Sequence, residues 1–227
     1  RVRRVFALQH RGQESAGIAA SDGRTLRNFT NEGLVSNAFR QEDIERLPGH
    51  IAIGHTRYST TGSSSAFNAQ PIISKSDSAE LALGHNGNVI NAADLRQRLE
   101  EWGVVCTTGT DSEVIAHLFA WAPGETWEDK TGYLMRSLKG AYSLVVSTVD
   151  TLVGIRDPHG VRPLSLGRYA SGGWVIASET CAFDHIGAQF VREIEPGETI
   201  VIDRDGLRSI PSPLVDARQA HCVFEHI

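Results

Sequence analysis

Three short segments of the sequence carry polar residues with complementary chemistry. Asn86 and Gly87 adjoin in "LGHNGNV", Arg57 closes "IGHTR", and Asp111 opens "DSEVIAHL". A glycine lets its backbone N–H approach a reacting carbonyl, and a neighbouring asparagine amide can donate a second hydrogen bond, which together make an oxyanion hole. The same Asn-Gly pair also predicts a type I′ hairpin turn, and the segment taken alone favours the turn.

Arg57 and Asp111 could bind the two charged groups of an amino acid. A guanidinium forms a fork-shaped pair with a carboxylate, and an aspartate suits an ammonium group. Each residue also has a simpler interpretation. Arg57 could form a surface salt bridge, and Asp111 lies in the first turn of a predicted helix, where it is favourable against the helix dipole. Combined with an oxyanion hole, the two would recognise an α-amino acid with a side-chain amide, which is glutamine or asparagine.

Amide transfer also requires a nucleophile, and the sequence shows no cysteine in a setting typical of a reactive thiol. Cys106, Cys181 and Cys222 are each expected to be small structural thiols. The histidines His10, His55 and His85 lie inside candidate motifs but are expected to be structural, and no spacing among them indicates zinc. No phosphate-binding glycine loop is present in the sequence.

The elements that must position these residues follow from the apolar pattern and the capping residues. "RVRRVFALQHRG" predicts the end of a helix closed by Gly12, and Asn91 predicts the N-cap of a helix over "AADLRQRLEE". Thr110 and Glu113 form a capping-box pattern ahead of a second helix. "ELALGH" and "NVI" are predicted as strands flanking Asn86-Gly87, and from Ala141 onward the chain is rich in short strands separated by turns. We therefore expect one α+β domain with helices on antiparallel sheet, two sheets lying between two helical layers.

Composition narrows the class of protein. The 227 residues are 41% hydrophobic with a net charge of −5, and no run of like charge is long enough to bind a polyphosphate or a membrane surface. Nucleic acid and membrane are therefore not expected as partners. The three cysteines are odd in number and widely spaced, which favours a reducing, cytoplasmic compartment over a disulfide framework.

Taken in order, the segments resemble the class II glutamine amidotransferase family, whose members are N-terminal-nucleophile hydrolases. The resemblance runs through "LQHRGQESAGI", "IGHTRYSTTGSSSAFNAQP", "LGHNGNVINAADLR", "TDSEVIAHL", "RDPHGVRPLSLG" and "ASETCAFD". Tyr58, Gln70 and "RDPHGVRPL" are typical of the branch that acts in purine synthesis. The sugar-phosphate aminotransferase branch typically has Trp and His at the first two positions.

The resemblance implies a fold and a role for each site residue. The fold is a four-layer αββα sandwich of two antiparallel sheets. Arg57 resembles the arginine that holds the α-carboxylate of glutamine, Asp111 the carboxylate for its α-amino group, and Asn86 with Gly87 the donors of the oxyanion hole. The family's nucleophile is a cysteine that begins the mature chain, on a strand absent from residues 1–227. This chain alone is therefore expected to be an inactive domain, truncated at both ends.

The resemblance also implies partners and cofactors. Ammonia released from glutamine would convert phosphoribosyl pyrophosphate to phosphoribosylamine, the first committed step of purine synthesis, in a following phosphoribosyltransferase domain that uses Mg²⁺. The intact protein is expected to be a homo-oligomer. No cofactor is expected in residues 1–227, and no iron–sulfur cluster is predicted, since the further ligands would lie beyond Ile227. The alternatives are a nucleophile-less glutamine-binding or regulatory module, and a glutaminase that serves another acceptor such as a sugar phosphate.

Overall fold

The computed structural model describes residues 2–57, 68–77, 79–214 and 218–220, so that Tyr58 and Cys222 lie outside the described residues. The helices in these ranges are α1 (Val2–Ala7), α2 (Val35–Ala38), α3 (Gln41–Glu45), α4 (Ala92–Glu101), α5 (Asp111–Ala120), α6 (Trp127–Ser137) and α7 (Cys181–Ile186), with a 3₁₀ turn over Gln9–Arg11. The strands are β1 (Ser15–Ser21), β2 (Leu26–Glu32), β3 (Ile51–Arg57), β4 (Ile72–Lys75), β5 (Glu80–Val89), β6 (Gly140–Ser147), β7 (Leu152–Arg156), β8 (Ser165–Tyr169), β9 (Trp174–Ala177), β10 (Ala188–Glu193), β11 (Thr199–Asp203) and β12 (Gly206–Ile210).

A six-stranded antiparallel sheet forms the centre of the molecule, in the order β12-β11-β7-β6-β5-β4. Because side chains alternate along a strand, Leu144 and Val146 of β6 point to one face and Val145 to the other. The first face is buried against α4, α5 and α6, and this contact forms the largest apolar core. The helices thus cover one whole side of the sheet.

Two three-stranded antiparallel sheets, β2-β1-β3 and β10-β8-β9, cover the opposite face of the central sheet. Val145 packs against both of them, through Ala19 and Ile53 on one side and Leu164 and Ile176 on the other. Outside this layer, α1 and α2 pack on β1, and α7 packs with Ala7 on β9 and β10. The result is a sequence of helices, sheet, sheet and helices, which confirms the expected α+β fold of αββα type.

An apolar groove separates the two small sheets. Among the described strands, β3 pairs only with β1 and β9 pairs only with β8, so each has one open edge. The space between them, about 70 Å³, is bounded by Ala52–Gly54 and Trp174–Ala177, with Val5 and Ile186 above and Val145 and Leu152 below. We call this space the β3–β9 groove. Unpaired strand edges beside buried apolar surface are unusual in a folded domain, because they are ready templates for another strand.

The hairpin-turn interpretation of Asn86-Gly87 is wrong. Strand β5 runs without a break from Glu80 to Val89, and the pair lies inside it, with Asn86 opposite Ser143 of β6 and Gly87 opposite Tyr142. Gly87 has φ +152, and a Cβ there would lie 2.1 Å from the Ala141 carbonyl oxygen. The glycine is therefore required by close strand pairing at positive φ and not by a turn.

Other local predictions succeed in part. Helix α4 begins after Asn91 as predicted, and Thr110 caps α5 by accepting a hydrogen bond from the Glu113 N–H. Gly12 does not close a helix in the left-handed conformation, since its φ of −173 is extended. A Cβ on Gly12 would lie 2.4 Å from the Arg57 backbone, so this glycine allows the two segments to touch. Within the described ranges no helix is long and apolar enough to cross a membrane.

Candidate functional site

A cavity of about 230 Å³ opens where β3 ends, β5 passes and α5 begins. Its lining includes all four residues selected from the sequence, namely Arg57, Asn86, Gly87 and Asp111. They come from three elements that are distant in sequence, and the central sheet with its covering layers brings them to one place. The cavity is therefore a built site and not a chance surface depression.

Arg57 is the last residue of β3 and only 6% of its surface is exposed. Its Nη1 lies 3.9 Å from Glu14 Oε2, while its carbonyl accepts a hydrogen bond from the Glu14 N–H at 3.1 Å. Burial excludes the interpretation of Arg57 as an exposed salt bridge on the surface. A guanidinium held at the wall of a small cavity is suited to a carboxylate ligand, because it offers paired donors in a fixed plane.

Asp111 is the first residue of α5 and connects the helix to β5. Its Oδ2 accepts a hydrogen bond from the Val89 N–H at 2.9 Å, and its Oδ1 lies 3.7 Å from His85 Nδ1. The carboxylate is thereby fixed two residues beyond Gly87 in the strand. It retains acceptor capacity on the cavity side, where an ammonium group would complete its coordination.

Asn86 presents an amide whose two ends differ. Its Oδ1 accepts a hydrogen bond from Arg162 Nη2 at 2.8 Å. Its Nδ2 is shielded from solvent and has no hydrogen-bond partner among the described residues. A buried donor without a partner costs free energy, so the Asn86 amide offers a donor to an acceptor that is not found among the described residues.

Two histidines that were expected to be structural line the same cavity. His55 Nε2 donates to the His85 carbonyl at 2.9 Å, and His85 Nδ1 lies 3.1 Å from Ser112 Oγ. Ser112 in turn accepts from Gln70 Nε2 at 3.0 Å, and Gln70 Oε1 accepts from the His85 N–H at 2.6 Å. Burial lowers the pKa of His55 to about 4 and also lowers the pKa of His85, so both rings are neutral at pH 7.

Arg162 is a cavity residue that the sequence reasoning did not single out, although it lies in the quoted segment "RDPHGVRPL". The loop after β7 is organised by buried Asp157, whose carboxylate accepts from the N–H groups of His159, Val161 and Arg162. An Asp followed by Pro and Gly predicts such a turn. The sequence signal for a role at the site was the second arginine of this segment. Its contact with Asn86 arises only in the folded chain.

The described cysteines do not supply the missing nucleophile. Neither Cys106 nor Cys181 lines the cavity, and burial raises the pKa of both thiols. Cys181 Sγ instead contacts Glu179 Oε2 at 3.2 Å. The group His10, Glu179 and Cys181 is the one set of metal-type ligands within 4.8 Å of each other among the described residues. Its carboxylate already pairs with His10 and Arg11, as expected for a salt-bridge cluster.

The β3–β9 groove runs into the cavity. Leu8, Gly54 and Val145 line both spaces, so a chain lying in the groove would reach the cavity wall beside Arg57. A side chain on a segment bound between β3 and β9 could therefore enter the cavity. This continuity could not be seen in the sequence, because the residues that form it are ordinary core positions.

Comparisons with known proteins agree with this architecture. Residues 55–185 match the family model described as a glutamine amidotransferase domain. The chain is 45% identical over 222 residues to amidophosphoribosyltransferase 3, chloroplastic, of Arabidopsis thaliana, which covers 98% of this chain and 42% of that protein. It is 46% identical over 230 residues to amidophosphoribosyltransferase of Mycobacterium tuberculosis, with 98% and 43% covered. The chain thus spans about two fifths of the length of these relatives.

A solved structure gives the same result in three dimensions. The glutamine phosphoribosylpyrophosphate amidotransferase from B. subtilis, complexed with ADP and GMP, matches with a TM-score of 0.91 at 39% sequence identity. The match covers 99% of this chain and 48% of that one. Because the family model alone covers more than half of the sequence, the chain belongs to the class II glutamine amidotransferase domain family.

Proposed function

We propose that this chain is the glutaminase portion of an amidophosphoribosyltransferase, which hydrolyses glutamine to glutamate and supplies ammonia to phosphoribosyl pyrophosphate. The observation that carries the proposal is the meeting of Arg57, Asp111 and Asn86-Gly87 in one cavity. An arginine for a carboxylate, an aspartate for an ammonium and two donors for a carbonyl oxygen match the three polar ends of glutamine. Phosphoribosyl pyrophosphate is proposed as the acceptor of the ammonia because the name of the solved B. subtilis relative includes it.

The residues suggest how the reaction proceeds. A thiol attacks the carboxamide carbon of glutamine, and the negative charge that develops on the oxygen is stabilised by Asn86 Nδ2 and the Gly87 N–H. Collapse of this intermediate expels ammonia and leaves a glutamyl thioester, which water then hydrolyses to glutamate. Arg57 and Asp111 hold the α-carboxylate and α-amino group throughout, so they contribute equally to ground-state and transition-state binding.

The nucleophile in this proposal is the N-terminal cysteine that the family resemblance implies, carried on a strand in the β3–β9 groove. Two open strand edges can satisfy the backbone of one inserted strand on both sides, and the apolar lining suits its side chains. The shared lining of groove and cavity would then bring that cysteine to glutamine. Its own α-amino group would serve as the base.

The remaining parts of the proposed function concern the whole protein. The chain covers 42% and 43% of two relatives, which leaves room for the phosphoribosyltransferase domain that their names imply. We propose that this domain follows the present one, uses Mg²⁺, and receives the ammonia. We further propose that the intact protein works as a homo-oligomer in the cytoplasm.

Removal of the Asn86 amide tests the oxyanion hole. In the full-length product of the gene, Asn86→Ala should lower glutamine-dependent kcat by about 10²–10³, the usual loss when one oxyanion donor is removed. Synthesis of phosphoribosylamine from added ammonia should be unchanged, because that step bypasses the cavity. Asn88→Ala, at an exposed position two residues along β5, is the matched control and should retain both activities. Parallel loss of both activities in Asn86→Ala would contradict the role.

One measurement separates hydrolysis from simple binding. The residues proposed to bind glutamine line the cavity while both described cysteines lie outside it, which also supports a nucleophile-less glutamine-binding module. Mass spectrometry of the N-terminal peptide of the natural gene product decides between them. A free N-terminal cysteine supports the glutaminase, whereas any other residue there leaves only the binding function.

A further inference from the structure

We propose that Arg162 is a positioning residue that fixes the amide of Asn86 with its NH₂ group available to the oxyanion. This inference rests on the proposed function and assigns a role to a residue that lies 76 positions from Asn86 in the chain. Arg162 itself lines the cavity but is not among the groups that bind the α-carboxylate or α-ammonium of glutamine. Its action would be exerted through Asn86.

The orientation of the Asn86 amide is set by the donors and acceptors of its neighbours. An asparagine amide has nearly the same shape in its two flipped states, so its neighbours decide which end accepts and which donates. A guanidinium has five donors and no acceptor. At 2.8 Å from Arg162 Nη2, the amide must therefore present Oδ1 to the arginine, because a flip would bring two donors together. Nδ2 is then forced to the other side, where it has no partner within the described chain.

The protein holds Arg162 firmly enough for this task. Its N–H donates to Asp157 Oδ2 at 3.2 Å, and its carbonyl accepts from Ser143 Oγ at 3.0 Å and from Arg156 Nε at 3.1 Å. Ser143 is the residue directly opposite Asn86 in the β5–β6 pairing. The loop that carries the guanidinium is thus fastened to the same strand pair that carries the amide.

Arg156 extends this support. Its Nη1 donates to the Ile194 carbonyl at 2.6 Å and its Nη2 donates to the Gly160 carbonyl at 3.0 Å, so it ties the loop to the start of the β10–β11 connection. Asp157 is fully buried and braces the loop from within. Arg156 and Asp157 therefore both support the loop that brings Arg162 into contact with Asn86.

The contact also has an electrostatic consequence. A hydrogen bond from a charged donor is stronger than a neutral one and polarises the amide that accepts it, which makes the opposite N–H a better donor. This polarisation matters most as the oxyanion forms, so its loss should appear in kcat and leave KM for glutamine nearly unchanged.

The test replaces the arginine in the full-length gene product. Arg162→Gln is shorter and uncharged, and its amide can both donate and accept, so it no longer forbids the flipped Asn86 amide. Glutamine-dependent kcat should fall about 10- to 100-fold, less than for outright loss of the donor, with KM changed less than about threefold. Arg162→Lys, which only donates, should recover part of the loss. Arg204→Gln, at an exposed arginine in the turn between β11 and β12, is the control and should behave as wild type.

A double variant separates positioning from general support of the fold. If Arg162 acts through Asn86, then Asn86→Ala combined with Arg162→Gln should be no slower than Asn86→Ala alone. Additive losses, or wild-type kcat in Arg162→Gln, would overturn the inference. The thermal unfolding of each full-length variant, compared with wild type, reports whether the glutaminase domain is folded. If Arg162→Gln is not folded, the double-variant comparison is made with Arg162→Lys. Full activity in Asn86→Ala would instead refute the oxyanion hole of the proposed function.

Discussion

Two buried polar networks meet at the start of α5, and they differ in how completely their atoms are satisfied. In the Glu113 network, made of Ser74, Thr107, Thr108, Glu113 and His117, the carboxylate accepts from the backbone and hydroxyl groups of both threonines at 2.7–2.8 Å. In the cavity network, made of His55, His85, Asn86, Asp111 and Arg162, the buried atoms that lack partners among the described residues include His55 Nδ1, His85 Nε2 and Asn86 Nδ2.

The difference separates stability from function. Buried hydrogen bonds that are all made contribute to folding, whereas each buried donor or acceptor left unmade costs about 1–3 kcal/mol. A protein retains such a cost where a ligand removes it, which is the case we propose for the cavity. Asp111 and Glu113 lie two residues apart on one helix, yet we propose that Asp111 binds a ligand, whereas Glu113 accepts hydrogen bonds from the loop before the helix. Substitutions in the two networks should therefore change different observables.

The largest effect on stability is expected for Glu113→Ala. The change removes the acceptor for the Thr107 and Thr108 N–H groups. It also removes the carboxylate that lies beside His117 and Arg96. We expect the free energy of unfolding, measured with urea, to fall by about 3–5 kcal/mol. Glu100→Ala, at an exposed site on α4, should change it by less than about 0.5 kcal/mol. A loss below 1 kcal/mol in Glu113→Ala would break the distinction between the networks.

The pH dependence of stability should reveal the cavity histidines. His55 has its pKa lowered by burial from 6.5 to about 4, so between these values the unfolded chain binds a proton that the folded chain does not. Stability is then complete above pH 6.5 and declines as pH falls towards 4, by on the order of 3 kcal/mol for this residue. His85 and His117 act in the same direction, since their pKa values are also lowered.

A variant isolates the contribution of His55 from the other groups. His55→Gln retains a donor for the His85 carbonyl but cannot be protonated, so its stability should decline less than that of wild type between pH 6.5 and 4. The acids Glu113, Glu179 and Glu198 have lowered pKa values and weaken the fold mainly below pH 4.5, outside most of this window. Identical slopes for the two proteins would show that His55 is not buried as described.

Arg57→Ala should affect substrate binding with little change in the chemical step. A charge-assisted pair with a carboxylate contributes about 1.5–3 kcal/mol, so KM for glutamine should rise about 10- to 100-fold with kcat within a few-fold. Arg27→Ala, at a half-buried arginine paired with Asp22, provides the control on the same three-stranded sheet. An unchanged KM would mean that Arg57 holds Glu14 and does not hold the substrate.

The two networks also show how far the sequence can be interpreted. Thr110 and Glu113 predicted a capping box, and the Thr110 half is present, but the Glu113 side chain turns to Thr107 and Thr108 instead. Local spacing identifies the cap, while competition among nearby donors decides the partner. Asn86-Gly87 failed as a turn for a related reason. The pair lies in β5, whose partner β6 follows only after α4, α5 and α6 in the sequence. A short sequence pattern cannot reveal a strand pairing between segments so far apart.

Motif chemistry predicted more of the site than secondary structure did. Arg57, Asn86, Gly87 and Asp111 were selected because their functional groups match glutamine, and the fold brings all four together. Arg162, His55 and His85 could not be selected in this way. Their contribution depends on contacts with Asn86 and Ser112 that arise only after the sheets have packed, and an arginine or histidine alone does not indicate what it will touch.

The smallest expected effects come from a matched pair of serines, one in each network. Ser74 Oγ lies 2.8 Å from His117 Nδ1, and Ser112 Oγ lies 3.1 Å from His85 Nδ1. Either change to alanine removes a hydrogen bond to a histidine, and Ser112→Ala also removes the acceptor of Gln70 Nε2. The free energy of unfolding should fall by about 1 kcal/mol for Ser74→Ala and by about 1–2 kcal/mol for Ser112→Ala. Their effects on glutamine should differ. Ser112 Oγ also lies 3.4 Å from Asp111 Oδ1, the proposed ligand of the ammonium group.

Ser112→Ala should therefore raise KM for glutamine about three- to tenfold, since it frees the Asp111 carboxylate to turn away from the substrate. Ser74→Ala should leave KM unchanged although it also weakens the fold. A stability loss in both variants with a raised KM in Ser112→Ala alone would show that only the serine beside Asp111 contributes to substrate binding. Equal KM values would mean that the unpartnered atoms of the cavity do not mark a binding site, and the distinction between the networks would be lost.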